Sequence, residues 1–304
     1  MSETKMDRKY SARRFGFAAV IAATLLIAAQ PLSAARTSLS TLAGQTHFHG
    51  IAVAAGEPSR LYLATHHGLY AVAADGGADR ISSDGNDYMG FTPHPGDPDI
   101  LHGSGHLAGG GNMGFISSRD GGKTWRKLSD GIGGPVDFHQ MDVSKADPLV
   151  IVGMSRGLQI SRNGGRSWEM IGPGPAGLID LAASAKDGNT FYAATRRGLV
   201  RSKDGGRTWK PAHLVRRPTT MVHVTAEGVV YAYQIGTGLM KTAEPGLNWR
   251  IVNSNFGQSY MVHLAADSTN PKLLYAITTN QQRRTQLVIF SRDGGRSWKA
   301  LGGN

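Results

Sequence analysis

Ser118-Arg-Asp-Gly-Gly-Lys-Thr-Trp125 recurs three times almost unchanged, as Ser161-Arg-Asn-Gly-Gly-Arg-Ser-Trp168, Ser202-Lys-Asp-Gly-Gly-Arg-Thr-Trp209 and Ser291-Arg-Asp-Gly-Gly-Arg-Ser-Trp298. A decayed copy, Thr242-Ala-Glu-Pro-Gly-Leu-Asn-Trp249, and one without Trp, Ala73-Ala-Asp-Gly-Gly-Ala-Asp-Arg80, complete six. Their acidic or Asn positions are Asp75, Asp120, Asn163, Asp204, Glu244 and Asp293, with spacings of 45, 43, 41, 40 and 49. A period of about 40–50 residues that holds four strand-sized segments is a propeller signature. The octamer explains itself chemically. Its carboxylate accepts backbone N–H groups in a tight turn, its glycines supply positive φ, and Trp125, Trp168, Trp209, Trp249 and Trp298 pack the turns onto their blades.

Each repeat reads alike. In the first, Phe48–Ala54, Leu61–Thr65 and Gly68–Val72 are strands A, B and C, Glu57-Pro58 is the A–B turn, and the octamer leads into strand D. The expected fold is an all-β, six-bladed propeller of four-stranded antiparallel blades over residues 47–304. The last octamer has its own strand D, so no swapped closing strand is expected. Residues 36–46 read as a flexible lead.

Residues 1–35 read as an export signal. Lys5, Arg8, Lys9, Arg13 and Arg14 precede an apolar run, Phe15–Ala29, and small residues up to Ala35. Arg13-Arg14 with Phe17 resembles a twin-arginine signal. Fifteen apolar residues fall short of the roughly 20 that span a bilayer, so no stable anchor is expected after cleavage. Of 304 residues, 41 are Gly and none is Cys. The missing cysteine excludes disulfide frameworks, thiol nucleophiles, cysteine zinc sites and iron–sulfur sites. The formal charge of +11 becomes +8 from residue 36 on, because Lys and Arg fall from 33 to 28 and Asp and Glu from 22 to 20. Much of it is Arg and Lys at the variable octamer positions. No aromatic–basic interleaving points to nucleic acid.

Eight of eleven histidines lie between 47 and 106 or at 139. At the start of strand A, successive blades carry His47-Phe-His49, Asp87-Tyr-Met89 and Asp137-Phe-His139. Residues two apart on a strand share a side. Topology brings the B–C loops, with His66, His67 and His106, to the same mouth of the channel, opposite the octamers. The candidate ligands are His47, His49, His139, Met89, His66, His67 and His106. Asp87, Asp137, Asp142 and Asp180 would ligate or orient them, the last two from deeper in the channel. A His/Met/Asp set without cysteine suits a copper-like ion, with zinc next. Polar groups satisfying one another, and a glycan or small-molecule site, are the competing readings.

The octamers and their spacing resemble the Asp-box, or BNR, propeller superfamily, which includes sialidases, sortilin-type receptors and photosystem II assembly factors. The stretches His47-Phe-His49-Gly50, His66-His67-Gly68-Leu69, Met89-Gly90-Phe91, Gly105-His106 and Asp137-Phe138-His139-Gln140-Met141-Asp142 resemble exported bacterial Asp-box proteins called glycosyl hydrolase-like or exo-sialidase-like. That resemblance implies a periplasmic or secreted protein. It leaves open a hydrolase using Asp87 and Asp137, or a non-catalytic scaffold with a protein or glycan partner. Sialidase chemistry is disfavoured. Its Tyr–Glu pair needs a glutamate on the loop face, and Glu57, Glu169, Glu227 and Glu244 fall in turns, an octamer or an outer strand. Arg156, Arg197 and Arg217 reach the loop face and keep anion binding open.

Overall fold

The computed structural model describes residues 1, 2 and 36–303. The export signal expected over residues 1–35 lies, but for its first two residues, outside them. Six antiparallel sheets follow one another along the chain, each with four consecutive strands paired in the order A–B–C–D. The innermost strands are Phe48–Ala54, Asp87–Pro93, Gln140–Val143, Leu178–Ala183, Thr219–Val224 and Ser259–Ala266. Each packs against the inner strand of its neighbours, and the first meets the last, so the ring is closed. The fold is an all-β, six-bladed propeller.

Strands pressed between two blades are apolar on both sides. Phe191–Thr195 is buried throughout, whereas the outer strand Glu169–Gly172 is largely exposed. This is why the inner strands read as short continuous apolar runs and the outer ones do not. Among the described residues no swapped strand closes the ring. Instead the Phe48 N–H donates to Gln286 Oε1 at 2.7 Å and Gln286 Nε2 donates to the Phe48 carbonyl at 3.2 Å, joining the sixth blade to the first.

Two expectations need correction at this end. Residues 36–46 are built into the domain. Thr37–Ser38 adds a short fifth strand to the first blade, and the helix Leu39–Gln45, capped by Ser38, buries Leu39 and Leu42 in a cluster shared with Ile277, Val288 and Leu301. Glu57-Pro58 opens strand B rather than forming the turn, which falls at Ala55-Gly56. Gly56 takes φ +73°, a conformation that glycine adopts without steric cost.

The four intact octamers form one turn. The hydroxyl of its first serine accepts the N–H of the second glycine at 2.8 Å in every copy. The Asp or Asn Oδ1 accepts the N–H of the seventh residue at 2.9 Å in every copy. In Asn163 the amide donates to Ser167 Oγ at 2.8 Å, where Asp204 accepts from Thr208 Oγ1 at 2.6 Å. The second glycine also serves the neighbouring blade. A Cβ on Gly122 would lie 2.3 Å from Leu69 Cδ2, on Gly165 2.0 Å from Phe115 Cε1, and on Gly206 2.4 Å from Leu158 Cδ2. Each of these partners sits on strand C of the preceding blade.

Glu244, aligned with the octamer acids, does something else. Its carboxylate accepts the Ala185 N–H at 2.9 Å and the Tyr192 hydroxyl at 3.2 Å, both on the blade before it. Trp249 Nε1 likewise donates across to the Ala212 carbonyl at 2.7 Å.

Gly122→Ala meets both positive φ and Leu69, and is expected to cost roughly 2–5 kcal/mol in chemical denaturation. A loss below about 1 kcal/mol would show that the blade joint does not depend on this contact. Thr208 and Ser202 hold Asp204 down at about 2, below its usual 3.8. Its contribution to stability is therefore present above about pH 4 and is lost as the pH falls toward 2. The melting-temperature gap between wild type and Asp204→Asn should close over that window. Asn163 shows that the amide fits the turn.

Candidate metal centre

Five of the inner strands bend at a matched place. The pairing register shifts between Phe48 and Gly50, Met89 and Thr92, Leu178 and Asp180, Thr219 and Met221, and Met261 and His263. Such bulges leave backbone groups unpaired within their own sheet and re-aim side chains. At Asp180 and Thr220 they turn polar groups toward the next blade, and Asp142, on the one inner strand without a register shift, does the same. Asp180 Oδ2 accepts the Val222 N–H at 2.9 Å, Asp142 Oδ2 accepts the Ala183 N–H at 2.8 Å, and Thr220 Oγ1 donates to the Met261 carbonyl at 2.6 Å.

At the two joints among the first three blades, the mouth-side groups are imidazoles and carboxylates. His49 on the first inner strand, His66 on the B–C turn of the same blade and Asp87 on the next inner strand form one triad. His66 Nδ1 lies 2.8 Å from Asp87 Oδ2 and 3.1 Å from His49 Nε2, and His49 Nε2 is 3.6 Å from Asp87 Oδ1. His106, ending strand B of the second blade, joins Asp137 and His139 of the third. His106 Nε2 lies 3.0 Å and His139 Nε2 2.5 Å from Asp137 Oδ2. In each triad one donor atom per residue falls within 4.8 Å of the others.

The pattern follows the repeat. In both triads a histidine at the B–C end of one blade meets an aspartate at the start of the next, Asp87 opening its inner strand and Asp137 three residues before Gln140–Val143. The third member is His49 on the first blade's inner strand in one triad and His139, just before Gln140–Val143, in the other. Topology thus brings together six of the candidate residues. His47 and His67 are exposed and flank His66 with ring centroids 5.8 and 6.3 Å away, and Met89 is buried two residues after Asp87.

The electrostatics separate the triads. Burial, then the neighbouring His66, pushes His49 down to about 4. The hydrogen bond to Asp137 raises His139. The groups share one field, since His139 contributes to the lowering of His49 and Asp87 to the raising of His139. One oxygen of each carboxylate, Asp87 Oδ1 and Asp137 Oδ1, is buried and has no hydrogen-bond donor among the described residues. Buried polar atoms are nearly always partnered. Of the three buried carboxylate oxygens left without a donor among the described residues, Asp267 Oδ2 stands apart and these two fall at matched positions, one in each triad. Donors around an ion with bonds of about 2.1 Å lie roughly 3–3.4 Å apart. The separations in the triads bracket that range. The donor set fits a divalent first-row ion.

Asp142 and Asp180 lie deeper, in a cavity of about 150 Å³ that runs from mid-channel toward the A–B turn end. Asp142 Oδ2 pairs with Lys145 Nζ at 2.5 Å, and Oδ1 accepts from Thr92 Oγ1 at 3.1 Å. Burial raises Asp180 to about 7 despite two backbone donors, and burial lowers His223 and His263 to about 4. Their bonds join blades, which accounts for both aspartates. Thr92 and Lys145 are members of this belt that the strand alignment does not single out. Asn112 and Gln140, beside the second triad, are also missing from it. For Asn112 a signal exists in the glycine-rich excursion Leu107–Gly114, which no other B–C connection contains.

No family model matches the sequence, and no curated protein matches it. Among solved structures the fold is similar to a GH74 xyloglucanase from Xanthomonas campestris at 21% identity, covering 84% of this chain and 45% of that chain with a TM-score of 0.56. It is similar to a GH74 enzyme from Niastella koreensis at 16% identity, with 84% and 45% coverage and a TM-score of 0.58. It is also similar to YCF48 from Cyanidioschyzon merolae at 16% identity, with 84% of each chain covered and a TM-score of 0.51. The chain spans less than half the length of those GH74 enzymes. At these identities the likeness is one of fold.

Asp180 holds its proton in the folded chain well above the pH at which the unfolded chain loses it. It therefore lowers stability progressively as the pH rises from about 4 to about 7. Asp180→Asn should gain on wild type in melting temperature across that window. Parallel curves would show that Asp180 is ionised throughout.

Proposed function

We propose that this chain is an exported Asp-box propeller that binds divalent metal of the copper or zinc kind at its channel mouth. Its two sites would be His49–His66–Asp87 and His106–Asp137–His139. The observation that carries this reading is the pair of triads, in each of which a carboxylate meets two imidazoles while its other oxygen, Oδ1, is buried and without a donor. Imidazole and carboxylate without thiolate suit Cu(II) and Zn(II), and an ion would satisfy the orphaned oxygens that side chains leave bare. The shared hydrogen bonding of the octamers supports the Asp-box assignment. The basic, apolar, small-residue order of residues 1–35 supports export, to the periplasm or beyond. His47, His67 and Met89 stand close enough in the chain to complete a coordination shell.

The GH74 neighbours keep a glycoside hydrolase using Asp87 and Asp137 as an alternative at the level of fold. Against it, each carboxylate is paired with two histidines. YCF48, an assembly-factor propeller, keeps a scaffold with a protein partner as the third reading.

Zinc and copper content after equilibrium dialysis tests the first reading. Wild type should retain two ions per chain, His49→Ala and His139→Ala one each, and the double variant none. A folded wild-type protein that holds neither zinc nor copper stoichiometrically would overturn it. Cleavage of a chromogenic glycoside, lost in Asp87→Asn, would favour the hydrolase instead.

A further inference from the structure

The second triad opens onto a cavity of about 490 Å³ whose lining includes Asn112, Gln140, Ser155 and Arg156. Its lining carries one carboxylate, Asp137, and one guanidinium, Arg156. A divalent ion on His106, Asp137 and His139 would leave this cavity with a formal charge of +2, one unit from the ion after Asp137 and one from Arg156. It is widely open to solvent and has the volume of a small-molecule site, and its neutral lining groups, Met154 apart, are hydrogen-bonding side chains.

Arg156 itself is held in an unusual way. It is the single tip residue between Ser155 and Gly157, which pair across strands B and C, and it takes φ +43°. The corresponding turns of the first and fourth blades have two tip residues and place a glycine at positive φ, Gly68 and Gly198. A left-handed backbone at a residue with a long side chain costs roughly 1–2 kcal/mol, and such strain gathers at functional positions. Arg156 is exposed, yet one terminal nitrogen donates to the Gly133 carbonyl at 3.1 Å. That bond fixes the guanidinium at the cavity wall and leaves its other terminal nitrogen without a protein acceptor among the described residues. A tethered guanidinium beside a cationic centre recognises oxyanions.

We propose that the cavity beside His106, Asp137 and His139 is an oxyanion site, in which the ligand's carboxylate, sulfate or phosphate group bridges the metal and Arg156. This rests on the metal-binding reading and deepens it. The ligand is a small acidic molecule rather than a neutral sugar. Gln140, Ser155 and Asn112 offer hydrogen bonds to the rest of it.

Arg156→Gly is the informative variant, because glycine accepts the tip conformation. The fold should be at least as stable as wild type and should keep its metal. Zinc-loaded wild type and variant are titrated calorimetrically with sulfate and, separately, acetate. Binding of one or both to wild type, weakened at least tenfold in Arg156→Gly and absent from the metal-free protein, is the expected result. The tighter probe distinguishes a tetrahedral anion from a carboxylate. Zinc retained, with neither anion bound or with binding indifferent to Arg156, overturns the oxyanion site and leaves the metal reading standing. Zinc not retained overturns both.

Discussion

Four of the six blade joints depend on an apolar side chain of one blade resting on a glycine of the next. Leu69, Phe115, Leu158 and Leu239 each reach across to the second glycine of an octamer turn. The approach is so close that a single methyl group would occupy the same space, and the glycine is at positive φ in all four. The serine and the Asp or Asn around it lock the turn so that this glycine is presented at the joint. The octamer is therefore both a turn and a blade spacer. That dual role explains why its wording is so uniform while the outer strands beside it vary freely.

The joint between the fourth and fifth blades tests this view, because the octamer there has decayed. With Pro245 in place of the first glycine, the turn no longer uses its acid to close on itself. Glu244 reaches back to Ala185 and Tyr192, and Trp249 to Ala212, so the joint is rebuilt from hydrogen bonds. A hydrogen bond contributes about 1 kcal/mol net, so several are needed to replace one well-packed contact. The blade spacing survives the loss of the motif because the load moves to other atoms at the same joint.

The sequence was most readable where information is local. The octamers announce their own turns, and the apolar runs Phe48–Ala54 and Gly68–Val72 end where the structure ends those strands. Alternation also gathers the histidines of the first three blades at one mouth. It does not decide which of them meet. His47 and His49 share a side in an even strand, but the bulge between Phe48 and Gly50 breaks that equivalence, leaving His47 on the rim and His49 in a triad. Likewise the helix Leu39–Gln45 is only seven residues long, and its two buried leucines share a cluster with residues as far off as Ile277, Val288 and Leu301. A short amphipathic segment carries no local mark of such contacts, so it reads as a lead. The Glu57-Pro58 turn fails for a different reason. Gly56 supplies the positive φ, and proline is tolerated near the start of the strand that follows.

The two triads are best understood as blade joints with an unfinished polar inventory. Deeper in the channel, the carboxylates of Asp142 and Asp180 accept backbone donors from the next blade, and the groups that bulges turn outward are satisfied within the protein. At the mouth of the first two joints, Asp87 and Asp137 occupy analogous positions on the rim of the ring, but imidazoles stand where backbone donors stand elsewhere. Each carboxylate keeps one oxygen buried and without a donor. If these positions served only to hold blades together, a backbone-accepting group as at Asp180 would do so with no orphaned atom. The other half of the same face carries exposed Arg196, Arg197, Arg216, Arg217, Arg283 and Arg284, with none of these histidine–carboxylate groups among the described residues. The mouth is thus divided into a half that gathers histidines and carboxylates and a cationic half, with Arg156 at the boundary. A structure that needed only closure had no physical reason to divide it so.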